Sequence, residues 1–505
     1  MLPSWGTLTA VEHLTASDAS FLYMENPVVH MHVTGVMVLD PSTVEGGYTF
    51  ERFRGHLLER LHLIAPFRKR LMRVPFGLDH PVWVDDPDFD LDDHLRREVL
   101  PAPGSLAQLA AFTGEFASMP LPLSRPLWSM VVVEGFADGS IAVVSKMHHV
   151  AVDGSSGTDL MAHLVDLEPN APPTIPPAEP FDPAPVPSRP VLFLSSAISR
   201  ATNPLRNVRA MRRTIGSALR LGQAAIEGSR GGPTMARPFD APRTLFNQSL
   251  TANRAVAMAK APLDDLRTAK ASFGATVNDV FLAACTQSLR AYLLAHGEPC
   301  DRALLVSVPV SVRGEVADSR SANQVSNMFV RLPVDLADPV EQLLQVRLDT
   351  RDAKSVHGAI GADMIGDVTE LTPPAIFNLA SRMYSRAGLA DRLPPIQNLV
   401  ISNVPGPPIP LYVAGARLTG VYPFGPLIEG SGLNITVLSN MGNMDIGVIG
   451  CPDIAPDVDD IAQGIVAGIE VLRKAAAAAA PKAAATPKAT AKPKAAAKSK
   501  AAKAK

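Results

Sequence analysis

Ten prolines fall within residues 169–190, at Pro169, Pro172, Pro173, Pro176, Pro177, Pro180, Pro183, Pro185, Pro187 and Pro190. Each ring fixes φ and deletes a backbone donor, so the stretch can be neither the interior of a helix nor a central strand. It divides a chain of 505 residues, longer than one hydrophobic core usually organises, into two lobes joined by an extended linker. The expected organisation is a first lobe over 1–168, linker and basic helix over 169–240, a second lobe over 241–473 and an Ala/Lys/Pro tail over 474–505.

Both lobes mix helical and strand periods. Helical patterns cover Thr49 to Leu61, about Ser155 to Leu167, Val277 to Ala295, around Val340 to Ala353, and Val458 to Leu472. Strand-like apolar runs cover Trp128 to Gly135, Ile141 to Met147, Ala303 to Val312, Leu399 to Asn403 and Leu433 to Leu438. The fold class is therefore mixed α/β, with no repeat relating the lobes.

A hydrophobic fraction of 47 % is high, yet no run approaches the roughly eighteen apolar residues of a spanning helix. The excess belongs either to a large core or to a channel for greasy substrates. Cys285, Cys300 and Cys451 are too few and scattered for a disulfide framework or a zinc site, and no basic segment with an apolar signal core opens the chain. A reducing cytoplasm fits both observations. The net charge of -2 hides an asymmetry, because the tail carries lysines and no acid. Without an apolar stripe and broken by prolines, the tail stays outside the fold, as a tether to anionic lipid or nucleic acid or as a solubilising segment. Within 191–228, Leu194, Ile198, Leu205, Val208, Ile215, Leu219 and Ile226 alternate with Arg200, Arg206, Arg209, Arg212, Arg213 and Arg220. Such a basic amphipathic helix either lies in a membrane interface or packs on the protein with a solvated basic face.

The run from Ile141 through His148 and His149 to Asp153 and Gly154 sets two histidines just past an apolar strand, on the connection to the next helix. Functional groups favour such connections, and imidazole suits a base working near neutral pH. Three other readings compete. A metal site through His149 and Asp153 lacks clustered ligands beyond His163. A serine hydrolase lacks a Gly-x-Ser-x-Gly elbow, since Ser156 lies on the histidine loop itself. A structural pair leaves two adjacent imidazoles to be satisfied. No metal is expected.

His148-His149-x3-Asp153-Gly154 resembles the signature of the CoA-dependent acyltransferase superfamily, which includes chloramphenicol acetyltransferase and peptide-synthetase condensation domains. Other segments narrow the resemblance: Leu14 to Leu22 (LTASDASFL), Pro126-Leu127-Trp128, Pro242-Arg243-Thr244 with Asn247, Asn278-Asp279, and Ser402-Asn403-Val404-Pro405-Gly406-Pro407. Together they make residues 10–473 similar to the bacterial wax ester synthase/diacylglycerol acyltransferase family. Two departures stand out: Ser321-Ala-Asn323-Gln324 where the family often has Gly-Asn, and Ser439-Asn440 where Ser-Tyr is common.

The resemblance implies two chloramphenicol-acetyltransferase-like domains, each a mixed sheet covered by helices, meeting at a tunnel with His149 midway. His149 would be the general base that transfers a long-chain acyl group from acyl-CoA to diacylglycerol, or to a long-chain alcohol, beside His148. By analogy Asp153 holds the loop through an ion pair, with Arg313 as candidate partner, and Gly154 permits the turn. Asn278 and Asp279 read mainly as a helix cap, and Pro126-Leu127-Trp128 as packing. Asn434 or Thr436 is the candidate oxyanion donor. No cofactor is expected beyond acyl-CoA as co-substrate, no specific nucleic acid partner, and a place at the inner face of the cell membrane or at lipid inclusions. The competing functions are transfer from a carrier-protein thioester and a non-catalytic lipid-binding or tethering role.

Overall fold

The computed structural model describes residues 12–151, 162–176, 181–202, 239–311, 325–360 and 374–479. Asp153, Gly154, Arg313 and the Ser321–Gln324 departure lie outside these residues, as does most of the basic segment. The first half carries β1 (Glu12–His13), α1 (Ala16–Met24), β2 (His32–Asp40), α2 (Phe50–Arg60), β3 (Lys69–Met72), β4 (Val82–Asp85), β5 (Leu95–Val99), α3 (Leu106–Ser118), β6 (Trp128–Glu134), β7 (Ile141–His148) and α4 (Arg189–Thr202). The second carries β8 (Ala255–Pro262), α5 (Leu263–Phe273), α6 (Val277–Ala295), β9 (Leu304–Ser311), β10 (Val325–Leu332), α7 (Pro339–Ile360), α8 (Pro374–Arg386), β11 (Leu399–Val404), β12 (Tyr412–Val413), β13 (Ala416–Phe424), β14 (Leu433–Asn440), β15 (Asn443–Gly450) and α9 (Val458–Ala479).

Two six-stranded sheets organise the molecule. The first runs β12-β13-β2-β7-β6-β5 and the second β10-β9-β11-β14-β15-β8; β1, β4 and β3 form a small third sheet. All eight residues of β7 are buried, as expected of an apolar run covered on both faces. On one face Trp128, Met130 and Val143 meet Phe53 and Leu57 of α2. On the other, Val131 and Val144 share a cluster with Val256 of β8 and Ile449 of β15. That second cluster welds the halves together. There α3 lies so close to β8 that a Cβ at Gly114 would stand 2.7 Å from the Arg254 carbonyl oxygen, an approach that glycine alone allows.

The sequence boundaries need four adjustments. The first lobe is not contiguous, because β12 and β13, which begin more than 260 residues beyond the end of β7, complete its sheet. The physical reason lies in β13, where a bulge between Leu418 and Gly420 lets Ala416 and Leu418 enter one core cluster and Tyr422 and Phe424 the other, so the strand extends both packed faces of the sheet beyond β2. The helix expected to reach Leu167 stops earlier, since Asp166 pairs as a β-bridge with Tyr412. Within the linker segment, α4 starts at Arg189 with Pro190 in its first turn, where the missing N–H costs nothing. Finally, α9 continues into the tail as far as Ala479 with Ala476 buried, because the alanine run propagates a helix already docked on the core.

Candidate active site

The end of β7 is held before any side chain acts. The His148 N–H donates to the Leu127 carbonyl at 3.0 Å and the His149 N–H to the Met31 carbonyl at 2.7 Å. His149, Val150 and Ala151 then form a single 3-10 turn. Pro126-Leu127-Trp128 thus supplies a backbone anchor as well as packing. Trp128 is fully enclosed, stacked on Phe67 at 4.2 Å and on His94 at 4.7 Å, with its indole N–H donated to the Phe67 carbonyl at 3.0 Å.

The His149 ring stacks on Phe21 of α1, centroids 3.9 Å apart and planes 21° from parallel. Thr15 caps α1 by accepting the Asp18 N–H at 3.1 Å, so the LTASDASFL segment is the element that covers the histidine. Nδ1 of His149 is buried without a hydrogen-bond partner. Burial, reinforced by neighbouring His148, pushes the His149 imidazole down to about 4, so it is neutral at physiological pH and keeps one ring nitrogen unprotonated.

Around this pair lie residues that the sequence reading did not single out. His32 is the register partner of His148 across β2 and β7, with rings edge to face at 5.7 Å. His30 stacks on His32 at 5.5 Å. Glu25, just after α1, sits 3.6 Å from Nε2 of both His32 and His148. Burial brings His32 down to about 4. Lys146, two residues before His148, is buried with its ammonium 2.6 Å from the Phe116 and Met119 carbonyls at the C-terminus of α3, and burial lowers it to about 7. One signal was present in the sequence: His30-Met-His32 alternates as strand residues do, placing both imidazoles on one face.

The remaining candidates belong to the second sheet and its helices. Asp279 completes a capping box on α6, accepting the Thr276 N–H at 2.8 Å, and it also accepts the Thr350 hydroxyl at 2.7 Å. Asn278 accepts from the Asn403 amide at 3.3 Å, which brings two of the separated sequence segments together. Gly406 is pressed on β14, where a Cβ would come 2.1 Å from the Ser439 carbonyl oxygen. Asn434 and Thr436 on β14 are buried; the Thr436 hydroxyl donates to Asn434 at 2.8 Å, and Asn434 donates to the Pro426 carbonyl at 3.3 Å. Thr436 has therefore committed its proton, whereas Asn434 keeps a second amide hydrogen. Pro426 lies just past Phe424, which pairs with Thr34 on β2, so the crossover strand carries Asn434's partner toward the His32 end of the first sheet. Among the described residues, no three His, Cys, Asp or Glu side chains are arranged to hold a metal.

Comparison with known proteins gives consistent matches. A family described as the wax ester synthase/diacylglycerol acyltransferase catalytic domain matches residues 14–281, and its C-terminal domain matches residues 321–473. A protein of Mycobacterium tuberculosis named as a diacylglycerol O-acyltransferase is 37% identical over 478 residues, covering 93% of this chain and 91% of its own. Another from that species with the same name is 34% identical over 92% of this chain and 97% of its own. Among solved structures, the wax ester synthase/diacylglycerol acyltransferase from Marinobacter aquaeolei VT8 superposes with a TM-score of 0.64 at 27% identity, covering 92% of this chain and 100% of that one. The first condensation domain of the calcium-dependent antibiotic synthetase, at 15% identity and a TM-score of 0.54, shares the fold over 94% of this chain and 98% of its own.

Proposed function

The chain belongs to the wax ester synthase/diacylglycerol acyltransferase family, and we propose on that premise that His149 is the general base of its acyl transfer. The enzyme moves a long-chain acyl group from acyl-CoA to diacylglycerol, and long-chain alcohols are further acceptors. With Nδ1 enclosed, Nε2 is the nitrogen that meets the acceptor hydroxyl. It takes the hydroxyl proton as the alcohol oxygen attacks the thioester carbonyl, and the imidazolium returns that proton to the leaving CoA thiolate. The ester forms, the thioester breaks and CoA leaves as the thiol, with no acyl-enzyme and no metal or redox cofactor in the balance. Asn434 is the favoured donor to the oxyanion. Acyl chains reach His149 between the two halves, and Asp153 with Arg313 would hold the loop.

The observation that carries this reading is the neutral, half-buried His149, its Nδ1 enclosed, on a turn anchored at both of its first two amides. A peripheral place at a membrane or lipid inclusion is part of the same reading. No helix among the described residues is long and apolar enough to cross a bilayer. Phe76, 92 % exposed, instead meets exposed Phe193 of α4 edge to face at 6.1 Å, and α8, which contacts the same Pro75–Gly77 turn, exposes Leu379 and Met383 together with Arg382 and Arg386. Such a mixture suits an interface with anionic lipid.

The test is CoA release from palmitoyl-CoA with diacylglycerol, hexadecanol or no acceptor, for wild type and His149→Ala. Acceptor-dependent release should fall by about 10²- to 10⁴-fold in the variant with unchanged thermal stability near pH 7. Equal release by both proteins refutes the base.

A further inference from the structure

We infer that Glu25 is a positioning residue for the acyl transfer, clamping His148 and His32 and, through His148, fixing the turn that presents His149. The inference rests on the reading of His149 as the base. It starts from an awkward placement. Glu25 is the C-cap of α1, where the negative end of the helix dipole disfavours a carboxylate, and its side chain is largely buried at 14% exposure. An acid in such a position needs compensation, and two imidazoles provide it. Oε1 faces His32 Nε2 and Oε2 faces His148 Nε2, each at 3.6 Å. Burial alone would raise the carboxyl, but the His148 and His32 rings outweigh it and hold the group at about 2.

The consequence for the loop follows from proton placement. The Val150 N–H donates to His148 Nδ1 at 3.1 Å, so Nδ1 must present a lone pair. A neutral His148 then carries its proton on Nε2, the nitrogen aimed at Glu25. The carboxylate thus selects the one neutral tautomer in which the Val150 amide can close the 3-10 turn. Without the charge the two tautomers compete, and the Val150 N–H loses its acceptor in one of them. Phe21, one helical turn before Glu25, stacks on His149, so a single short helix orients both histidines: Phe21 by covering His149 and Glu25 by setting the tautomer of His148. Because His32 and His148 are register partners, the same carboxylate ties α1 to the ends of β2 and β7.

The experiment compares wild type, Glu25→Gln, Glu25→Asp and His149→Ala in palmitoyl-CoA-dependent esterification of diacylglycerol, with kcat and KM separated and thermal midpoints recorded. Glu25→Gln should lower kcat by about 10- to 100-fold, by analogy with the loss when the carboxylate that orients a metal-bound imidazole is removed, at unchanged KM for palmitoyl-CoA. Glu25→Asp should recover part of that loss. Unchanged kcat in Glu25→Gln beside an inactive His149→Ala overturns the inference and leaves the base standing. Equal kcat losses in both Glu25 variants that track a fall in thermal midpoint assign Glu25 to folding alone and also overturn it. An active His149→Ala removes the base, and the inference with it.

Discussion

Two buried polar clusters in this molecule obey opposite rules. Around the start of β11, Asn247 donates to the Gln397 and Gly430 carbonyls and accepts from Thr244 and Asn398, while Asn398 donates to Pro242 and accepts the Leu305 N–H. Arg243 closes the same region by donating to the Asn247, Ala390 and Leu393 carbonyls. At the end of β7, both nitrogens of His30, Nδ1 of His32 and Nδ1 of His149 are buried without hydrogen bonds, and Nε2 of His32 and of His148 have only the Glu25 carboxylate, 3.6 Å away. Since an unmade buried hydrogen bond costs about 1–3 kcal/mol, a saturated network is what architecture requires, and an unsaturated one persists where side chains must be free to exchange protons. The Pro242-Arg243-Thr244 and Asn247 segments are therefore structural clasps, and the histidines are the part to which we assign the proton transfer.

The strongest way to break this division is Asn434→Ala, because Asn434 belongs to the second sheet yet is given chemistry. Loss of one oxyanion donor should lower kcat by about 10²- to 10³-fold, measured as CoA release at saturating substrates; an unchanged kcat would confine the chemistry to the first sheet. The second test is acid. His32 and His149 each sit at about 4 in the fold against 6.5 when unfolded, so between these values the unfolded chain binds the extra protons and stability falls as pH drops from 6.5 to 4. Each contributes on the order of 3 kcal/mol, and Glu25, held at about 2, extends the loss from 4.5 downwards. Urea unfolding across this range should show the slope, and His149→Asn should flatten it; a flat wild-type profile would mean the histidines are not held neutral. The smallest effect sharpens the other side: Asn398→Ala should cost about 1–3 kcal/mol for each partner left unsatisfied, with kcat of the folded fraction unchanged.

The elements were legible where periodicity was strong. Val277 to Ala295 is α6 as read, and the β6 and β7 runs hold to within a residue, because each carries a strong apolar pattern, and α6 opens on a capping box. His148 and His149 were legible as a local pair. Phe21 lay in a segment the sequence singled out and His32 in an alternating His-Met-His, but their meeting with the histidine pair, and that of Glu25, depends on the docking of α1 and the register of β2 on β7, which no spacing encodes. The same applies to β13, whose pairing with β2 joins residues as far apart as Thr34 and Phe424. The role of Asn278 became visible only through Asn403, 125 residues away.

That late strand also sets a schedule for synthesis. The first sheet has β7 in hand once His148 is made, but the edge of β2 stays open until Phe424 emerges. At about 5–20 residues per second a ribosome needs roughly 14–55 s to cover that interval. Throughout it, β2 presents unpaired backbone groups beside apolar side chains, the arrangement that seeds association between chains. Nascent copies of this enzyme are thus most vulnerable to aggregation midway through translation, and truncation before residue 424 should yield insoluble protein rather than an isolated first domain.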